Sequence, residues 1–430
     1  MVKTVASRFA AKLPFFYGYV MLPLAMLMQI GTSPGQTFAV SAFTPALLSS
    51  LDLSESRLAL AYMIGTLLAA LPLSLVGPLT DRAGLKIVSL TVIAGLAGTC
   101  FLASQVRGFW SLLGVFFLLR FLGQGSLTLI AGNTVAMWFR NRIGRMSAFI
   151  SIGTALTFAW VPEALSTSIG DIGWRATYQV LAVILAAALL PAVLIFFCNR
   201  PEDLGQSVDG MPSEPVRDQS TSEPADASDH GAKVETSFTL RQALSTASYS
   251  IVGLTNAVWA MIGTGVVFYL FTLCQDRGFA EGTAADLFKT FGLSMLAMQF
   301  LGGLLADFWP LNRLLGLGAS MLSVALVALW AGESPHAMHA FALLFGGGQG
   351  LLIAVTGAIY VRFYGRAHLG SIRGTVWCLT VAGSGCGPLI MGAVKDASGS
   401  YDFAVLIFLL IMTPLSIASW WVAPPKMRTP

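Results

Sequence analysis

The sequence has very little charge. Asp, Glu, Lys and Arg make up 11% of its 430 residues, and 55% of the residues are hydrophobic. An average soluble domain carries roughly a quarter of its residues as charged side chains, so a water-soluble fold of this length is excluded. The net charge of +4 follows from the membrane topology described below and does not indicate nucleic-acid binding.

Cysteine and histidine are also scarce, and neither type forms a cluster. The five cysteines stand singly, so we interpret them as small buried side chains and not as disulfides or metal ligands. The four histidines fall in loops or at helix ends and do not indicate a proton relay. There is no G-x-x-x-x-G-K-[ST] motif and no Ser/His or paired-Asp arrangement at membrane depth. We therefore expect neither an enzyme nor a cofactor.

What the sequence does have is long uncharged runs. A spanning helix needs about 20 apolar residues and satisfies its own backbone polar groups, so such runs are typical of membrane helices. Twelve such apolar runs are bounded by charged or Gly/Pro-rich loops. This pattern predicts an all-α membrane protein. The predicted spans are 16–44, 57–78, 87–106, 109–134, 146–168, 176–198, 248–273, 286–306, 314–331, 337–359, 374–394 and 402–423.

Lys and Arg are distributed unevenly between the loops. Eighteen of the 25 lie on the side of the membrane that holds both termini and six lie on the opposite side, with Arg120 inside the membrane. This bias predicts that both termini are cytoplasmic. The apolar run that begins at Phe15 is too long for a signal peptide, so we expect an uncleaved first span.

The composition changes between residues 199 and 245, where Pro, Ser, Asp, Glu and Gly dominate. Such a segment cannot bury enough apolar surface to fold alone. It predicts a disordered cytoplasmic linker between an N-terminal half, 1–198, and a C-terminal half, 246–430. Thr239 and Gln242 have the spacing of a capping box, which favours a short helix before span 7.

An internal repeat supports the division into two halves. The loop after span 2 contains Gly77-Pro-Leu79-Thr-Asp81, and the loop after span 8 contains Gly303-Leu-Leu305-Ala-Asp307, which is 226 residues later. Phe139-Arg-Asn-Arg142 after span 4 returns as Phe363-Tyr-Gly-Arg366 after span 10, 224 residues later. We therefore predict two six-helix halves related by an axis along the membrane normal.

These loops are similar to those of the major facilitator superfamily, whose signature has the form G-x-L-x-D-R-x-G-x-K. A second resemblance is the run Arg120-Phe-Leu-Gly123-Gln-Gly125 in span 4. The resemblance implies two halves that rock about a central site and a loop that latches the cytoplasmic side. The alternative is a topological anchor that follows the charge bias. The gating residues implied are Gly77, Asp81, Arg82, Gly84, Lys86 and Asp307. Gly77 and Gly84 would permit close helix approach and a tight turn.

Two further loop segments, Gly173-Trp174-Arg175 and Arg200-Pro-Glu-Asp-Leu-Gly205, resemble those of bacterial relatives of the monocarboxylate and oxalate/formate transporters. The resemblance implies a bacterial inner-membrane protein and a carboxylate substrate. Such relatives commonly hold the carboxylate with a cation in span 8 or span 11. Both spans are uncharged in their middle here, which leaves Arg120 as the cation inside the membrane.

Two charged residues at membrane depth are the main functional candidates, because a charge there is costly and marks a functional site by default. Arg120 is predicted to bind an anionic substrate group or to tune a proton site. Glu163, in the outer half of span 5, is a candidate proton carrier. The alternative for both is a static ion pair or hydrogen-bond set that joins spans 4 and 5.

Span 1 is interrupted by Gly31-Thr-Ser33-Pro34-Gly35-Gln36-Thr37. Proline and glycine there predict a kink or local unwinding that exposes carbonyls to a substrate cavity, or else a simple packing kink. Gln36 is the preferred side chain of this stretch. Other candidates near mid-membrane, for which packing or interhelical hydrogen bonds are the alternative, are Gln124, Asn256, Trp259, Tyr269, Gln299, Gln349 and Trp377.

The sequence therefore predicts a secondary transporter of a small organic solute, with a monocarboxylate or related anion favoured and the proton as a candidate coupling ion. We expect a monomer in the lipid bilayer. One alternative is efflux of an apolar compound or transport of a metal complex by the same fold. Another is a sensor or membrane assembly partner that transports nothing.

Overall fold

The computed structural model describes residues 15–139, 142–210, 238–280, 282–306, 308–365 and 369–425. Regular secondary structure in these ranges is entirely helical, which confirms the all-α prediction. The helices extend a few residues beyond most predicted ends. Spans 2 to 12 are Glu55–Ala83, Leu85–Ala103, Phe109–Trp138, Ile143–Ile172, Trp174–Phe196, Ala247–Asp276, Thr283–Leu305, Leu311–Ala331, Pro335–Tyr364, Leu369–Ser398 and Asp402–Ser419.

Span 1 is built from two shorter helices. Gly18–Gly31 has 14 residues and Thr37–Leu51 has 15, and the 3-10 turn Ser33–Gly35 separates them. Eleven helices of the described ranges are therefore long and apolar enough to cross a membrane alone, and the divided span 1 completes the twelve. Pro34 lies inside the turn, so the predicted local unwinding is confirmed.

Two further spans depart from regular α-helical geometry. Leu119–Leu127 in span 4 and Leu185–Leu189 in span 6 are π-helical. Short π segments inside α-helices often occur at functional sites, and the one in span 4 contains Arg120. The hydrophobic pattern gives no sign of either segment, because one irregular turn changes no residue type.

Polar side chains cap the starts of spans 2 and 7, and a glycine forms the turn between spans 2 and 3. Ser54 accepts a hydrogen bond from the Arg57 backbone N at 3.3 Å at the start of span 2, and Thr246 accepts one from Tyr249 N at 3.3 Å at the start of span 7. Gly84 has a φ of 84°, a conformation that glycine adopts readily. Spans 2 and 3 are therefore joined directly, which confirms the tight turn predicted for Gly84.

Both described ends of the linker are held in place. Gln206 Oε1 accepts a hydrogen bond from the Tyr17 backbone N at 2.9 Å, which attaches the first end to the start of span 1. At the other end, Thr239 caps the short helix Leu240–Leu244, as predicted. The predicted disorder in the middle of the linker falls on residues 211–237, which lie outside the described residues.

Close glycine contacts pack the C-terminal half. A Cβ atom added to Gly346 of span 10 would lie 2.3 Å from the carbonyl oxygen of Phe291 in span 8, and one added to Gly350 would lie 2.2 Å from that of Met295. Only glycine permits such an approach of two backbones. The glycine-rich stretch of span 10 is therefore a packing surface.

Candidate functional site

Arg120 lies where the interruption of span 1 meets the π segment of span 4. Its side chain is only 6% exposed. Nη1 donates to the carbonyl oxygen of Gly35 at 3.2 Å and to Thr37 Oγ1 at 3.4 Å. The chain becomes extended at Gln36, which turns the Gly35 carbonyl away from the helical hydrogen-bond pattern. The unwound turn of span 1 thus supplies acceptors for the arginine.

Glycines bring these two irregular segments into contact. A Cβ atom added to Gly35 would lie 2.2 Å from the carbonyl oxygen of Leu119. A Cβ atom added to Gly123 would lie 3.0 Å from Gly35 Cα. The glycines of both candidate motifs therefore serve the same interface, and they hold the Arg120 side chain against span 1.

Tyr62 of span 2 covers the arginine from another side. Its ring centroid is 5.0 Å from the guanidinium carbon, and its hydroxyl is 2.7 Å from Thr37 Oγ1. The same ring meets Phe268 of the C-terminal half, with 4.7 Å between the centroids. Sequence reasoning missed Tyr62 and Phe268, because a lone aromatic in an apolar span looks like ordinary core.

A cavity of about 110 Å³ adjoins Arg120 between the two halves. Among the described residues, Arg120 forms no ion pair, and Arg120 Nε and Thr66 Oγ1 have no hydrogen-bond partner. Buried polar groups are nearly always paired, and a buried cation favours an anion. The lining residues, from spans 2, 4 and 11, are Thr66, Ala69, Ala70, Leu73, Arg120, Gln124, Gly125, Trp377, Val381 and Ser384.

The structure brings three of the predicted residues together here, namely Arg120, Gln124 and Trp377. Gln36 is next to the Gly35 carbonyl, but its own Nε2 donates to Thr32 Oγ1 at 3.0 Å within span 1.

Several other candidates lie elsewhere. Asn256 receives a hydrogen bond from Thr356 at 2.9 Å and donates to Tyr360 at 3.3 Å, which joins spans 7 and 10 inside the C-terminal half. Gln349 packs against Gly263 of span 7. These contacts fit the alternative of packing and interhelical hydrogen bonding. None of the following lines the cavity beside Arg120: Asn256, Trp259, Tyr269, Gln299 and Gln349.

Glu163 belongs to a different cluster. Its Oε1 lies 2.7 Å from Lys289 Nζ of span 8, so the pair joins the two halves. Lys289 also lies 3.3 Å from Asp286. The alternative of an ion pair or hydrogen-bond set between Arg120 and Glu163 is therefore wrong. Glu163 points across the interface and Arg120 points toward span 1.

The Glu163 pair is part of a seal between the halves at the end opposite the chain termini, which we call the far end. Asp396 of span 11 accepts hydrogen bonds from the backbone N atoms of Glu55 and Ser56, at 3.2 and 2.9 Å. These N–H groups begin span 2, so a carboxylate of one half caps a helix of the other half. Tyr269 completes the contact by donating to the Glu55 carbonyl at 2.7 Å.

An apolar layer reinforces the seal. The Phe158 ring of span 5 lies 4.4 Å from the Phe291 ring of span 8, centroid to centroid. A Cβ atom added to Gly292 would lie 2.9 Å from the carbonyl oxygen of Ala155. These contacts lie near the middle of spans 5 and 8, so the closed interface between the halves extends from the far end to the middle of these spans.

The predicted gating loop lies at the other end, where the chain termini are. Arg82 is exposed, and the Lys86 backbone N donates to Asn199 Oδ1 at 2.8 Å inside the N-terminal half. The predicted close helix approach at Gly77 is wrong in this structure, since a Cβ atom there would meet nothing within 4 Å. The Asp81 side chain and Asp307 lie outside what the structure describes.

Comparison with known proteins agrees with this architecture. Residues 25–288 match the family described as Major Facilitator Superfamily. Among proteins of curated function no match is found. The solved structure of the nucleoside transporter NupG is similar, with a TM-score of 0.69, 13% identity, and coverage of 96% of this chain and 100% of that one.

A second similar structure is a bacterial homologue of the human lysosomal transporter Spinster in an inward-facing, unoccupied conformation. Its TM-score is 0.68 at 12% identity, with coverage of 94% of this chain and 97% of that one. At such low identity the two structures show the fold alone. The family match spans more than half of the sequence, and the twelve helices complete the architecture. The chain belongs to the Major Facilitator Superfamily.

Proposed function

We propose that the protein is a secondary active transporter of a small organic anion, and we favour a monocarboxylate. Transport occurs by alternating access of its two halves. The observation that carries this proposal is Arg120. Its guanidinium is buried, forms no ion pair among the described residues, and lines a cavity between the halves. A carboxylate would supply charge-assisted hydrogen bonds that this guanidinium lacks.

The size of the cavity favours a solute of few atoms. It holds about 110 Å³, whereas pockets for drug-sized ligands hold about 300–1,000 Å³. A carboxylate with a short carbon chain fits such a volume, and the apolar walls formed by Ala69, Ala70, Leu73 and Val381 suit that chain.

The charge bias of the loops supports cytoplasmic termini in the inner membrane of a bacterium. With that orientation, the far-end seal faces the outside and the cavity opens toward the cytoplasm. Transport then requires an opposite state in which the seal is broken. Contacts present in one state only, such as the Asp396 cap on span 2, set the equilibrium between the two states.

Glu163 is the proposed proton site. In the sealed state its carboxylate is paired with Lys289. Protonation removes the negative charge, weakens this pair and favours opening of the far end. Proton binding at the outside and opening of the seal would thereby be linked.

Uptake into proteoliposomes tests the proposal. Purified protein is reconstituted, and initial uptake of radiolabelled formate, acetate and lactate is measured under an inwardly directed proton gradient. We expect saturable uptake that collapses when an ionophore dissipates the gradient. Arg120→Gln is expected to lower uptake by about 10- to 100-fold, because a hydrogen bond to a charged group contributes about 1.5–3 kcal/mol.

Arg57→Gln is the control, because Arg57 is an exposed cation at the far end, and its uptake should match the wild type. Wild-type uptake in Arg120→Gln would contradict the assigned site. Folded protein that transports none of the carboxylates would contradict the substrate class. In that case uptake of apolar compounds or metal complexes tests the exporter alternative, and no transport at all favours a sensor or assembly partner.

A further inference from the structure

A second and larger cavity lies at the end of the molecule that carries the chain termini. It holds about 600 Å³, and its described lining residues belong to the N-terminal half and to the first part of the linker. It is therefore distinct from the proposed transport site, which lies between the halves. Its lining residues are Thr80, Arg82, Ala83, Gly84, Leu85, Asn133, Ala136, Met137, Asn199, Arg200 and Asp203.

Two guanidinium groups reach this cavity from separate elements. Arg82 ends span 2 and Arg200 follows span 6, and among the described residues neither forms an ion pair. Asp203 also lines the cavity, and its Oδ2 accepts a hydrogen bond from the Arg200 backbone N at 3.2 Å. Among the described lining residues, two cations accompany one carboxylate, and the amides of Asn133 and Asn199 add further hydrogen-bonding groups.

An exposed apolar stripe leads along span 2 into the cavity. Leu71, Leu75 and Leu79 are spaced four residues apart, which places them on one helix face. They are 71%, 68% and 52% exposed. Arg82 follows Leu79 by three residues and continues the same face. A long apolar surface thus ends directly at a cationic pocket.

We propose that this cavity binds the phosphate headgroup of an anionic phospholipid, with the acyl chains along Leu71, Leu75 and Leu79. Arginine matches phosphate oxygens with paired donors, and basic pockets at helix ends on the cytoplasmic side bind anionic headgroups. A free phosphate ion would use the two arginines but not the stripe. The combination of the two features selects an amphiphile.

Lipid-dependent thermal stability of the full-length protein tests this binding. The protein is purified in detergent, and its Tm is followed while phosphatidylglycerol, phosphatidylcholine or inorganic phosphate is added at matched ionic strength. We expect saturable stabilisation by phosphatidylglycerol alone. Arg82→Gln with Arg200→Gln should weaken the apparent affinity about 25-fold, at about fivefold for each basic residue.

Arg241→Gln with Arg313→Gln is the matched control, because both arginines are exposed, neither lines this cavity and the charge change is the same. Equal stabilisation of both double variants would overturn the proposal, and inorganic phosphate as effective as the lipid would overturn the assignment to a headgroup. If the pocket variant does not fold, a photoreactive phosphatidylglycerol is cross-linked to wild-type protein. Labelling of residues 71–83 or 199–203 supports the site, and labelling confined to other segments overturns it.

Discussion

Arg120 is held by acceptors that a continuous helix does not offer. The carbonyl oxygen of Gly35 and the hydroxyl of Thr37 bind one of its nitrogen atoms, and the Tyr62 ring covers the guanidinium. These contacts position the charge without neutralising it. A residue of this kind can receive an anion and then release it, because its resting partners are dipoles and not a carboxylate.

The role of Glu163 can also be tested by the substitution of a single residue. Glu163→Gln keeps the shape of the side chain but removes its ability to ionise, so uptake should lose its dependence on external pH. The ion pair itself contributes only about 0.2–1 kcal/mol at a partly exposed position, so folding should be little affected. Initial uptake rates over a series of external pH values provide the measurement.

Asp286→Asn provides the control for Glu163, since Asp286 also contacts Lys289 but does not join the two halves. Its pH profile should remain that of the wild type. A wild-type profile in Glu163→Gln would show that the proton is carried elsewhere.

For single residues, the sequence predicts which side chains are unusual at their position in the membrane but not what they contact. Arg120 and Glu163 stand out because charge is rare inside the membrane. Their partners, Gly35, Tyr62 and Lys289, lie on other spans, and each meets its partner only after the helices have packed. Lys289 lies near the predicted start of span 8, so nothing in the sequence distinguished it from the other cations of the far side.

The unwound turn of span 1 and the π segment of span 4 pack against each other. Gly35 and Gly123 meet backbone to backbone, and this contact places Arg120 beside the unwound turn. The interruption of span 1 could be predicted, because proline and glycine disturb any helix. The π segment of span 4 could not, because its residues suit an α-helix equally well.

Substitution of Gly35 by alanine tests this contact. The new Cβ atom would lie 2.2 Å from the Leu119 carbonyl oxygen, so span 1 must move away from span 4. We expect destabilisation by about 1–3 kcal/mol, together with loss of uptake because the acceptors of Arg120 shift. Thermal unfolding of the purified variant and uptake by proteoliposomes measure the two effects.

Gly98→Ala is the matched control, because a Cβ atom at Gly98 meets nothing within 4 Å. It should leave uptake unchanged and stabilise span 3 by up to about 1 kcal/mol. Equal behaviour of the two variants would contradict a close contact at Gly35.

In the whole molecule the contacts described between the two halves lie at the far end and near the middle of the spans. The repeated loops and the charge bias predicted two halves and their topology. They could not predict which end is closed, because either arrangement buries the same helices. Such a choice rests on contacts between distant residues, such as Asp396 with the start of span 2.

A cross-link across the far end should stop transport. In a cysteine-free background, Ala159→Cys and Gly292→Cys place two thiols where a Cβ atom at Gly292 lies 3.0 Å from Ala159 Cβ. Oxidation should join spans 5 and 8, abolish uptake, and allow recovery on reduction. Uptake before and after a reducing agent, with gel mobility as the check of cross-linking, gives the result.

Gly302→Cys with Ala354→Cys supplies the control, because the corresponding atoms lie 3.1 Å apart within the C-terminal half alone. This bond should form without loss of uptake. Continued uptake with a complete far-end cross-link would contradict alternating access through that end.

The π segment of span 4 also distinguishes the two halves. The repeated loops are 226 residues apart after span 2 but 224 apart after span 4, so the first half holds two residues more over this stretch. Spans 4 and 10 are both 30 residues long, whereas the loop 104–108 before span 4 is two residues longer than the loop 332–334 before span 10. The extra residues therefore fit that loop, and the two equivalent spans differ in winding, because span 10 is α-helical along its whole length while span 4 contains a π segment at Arg120.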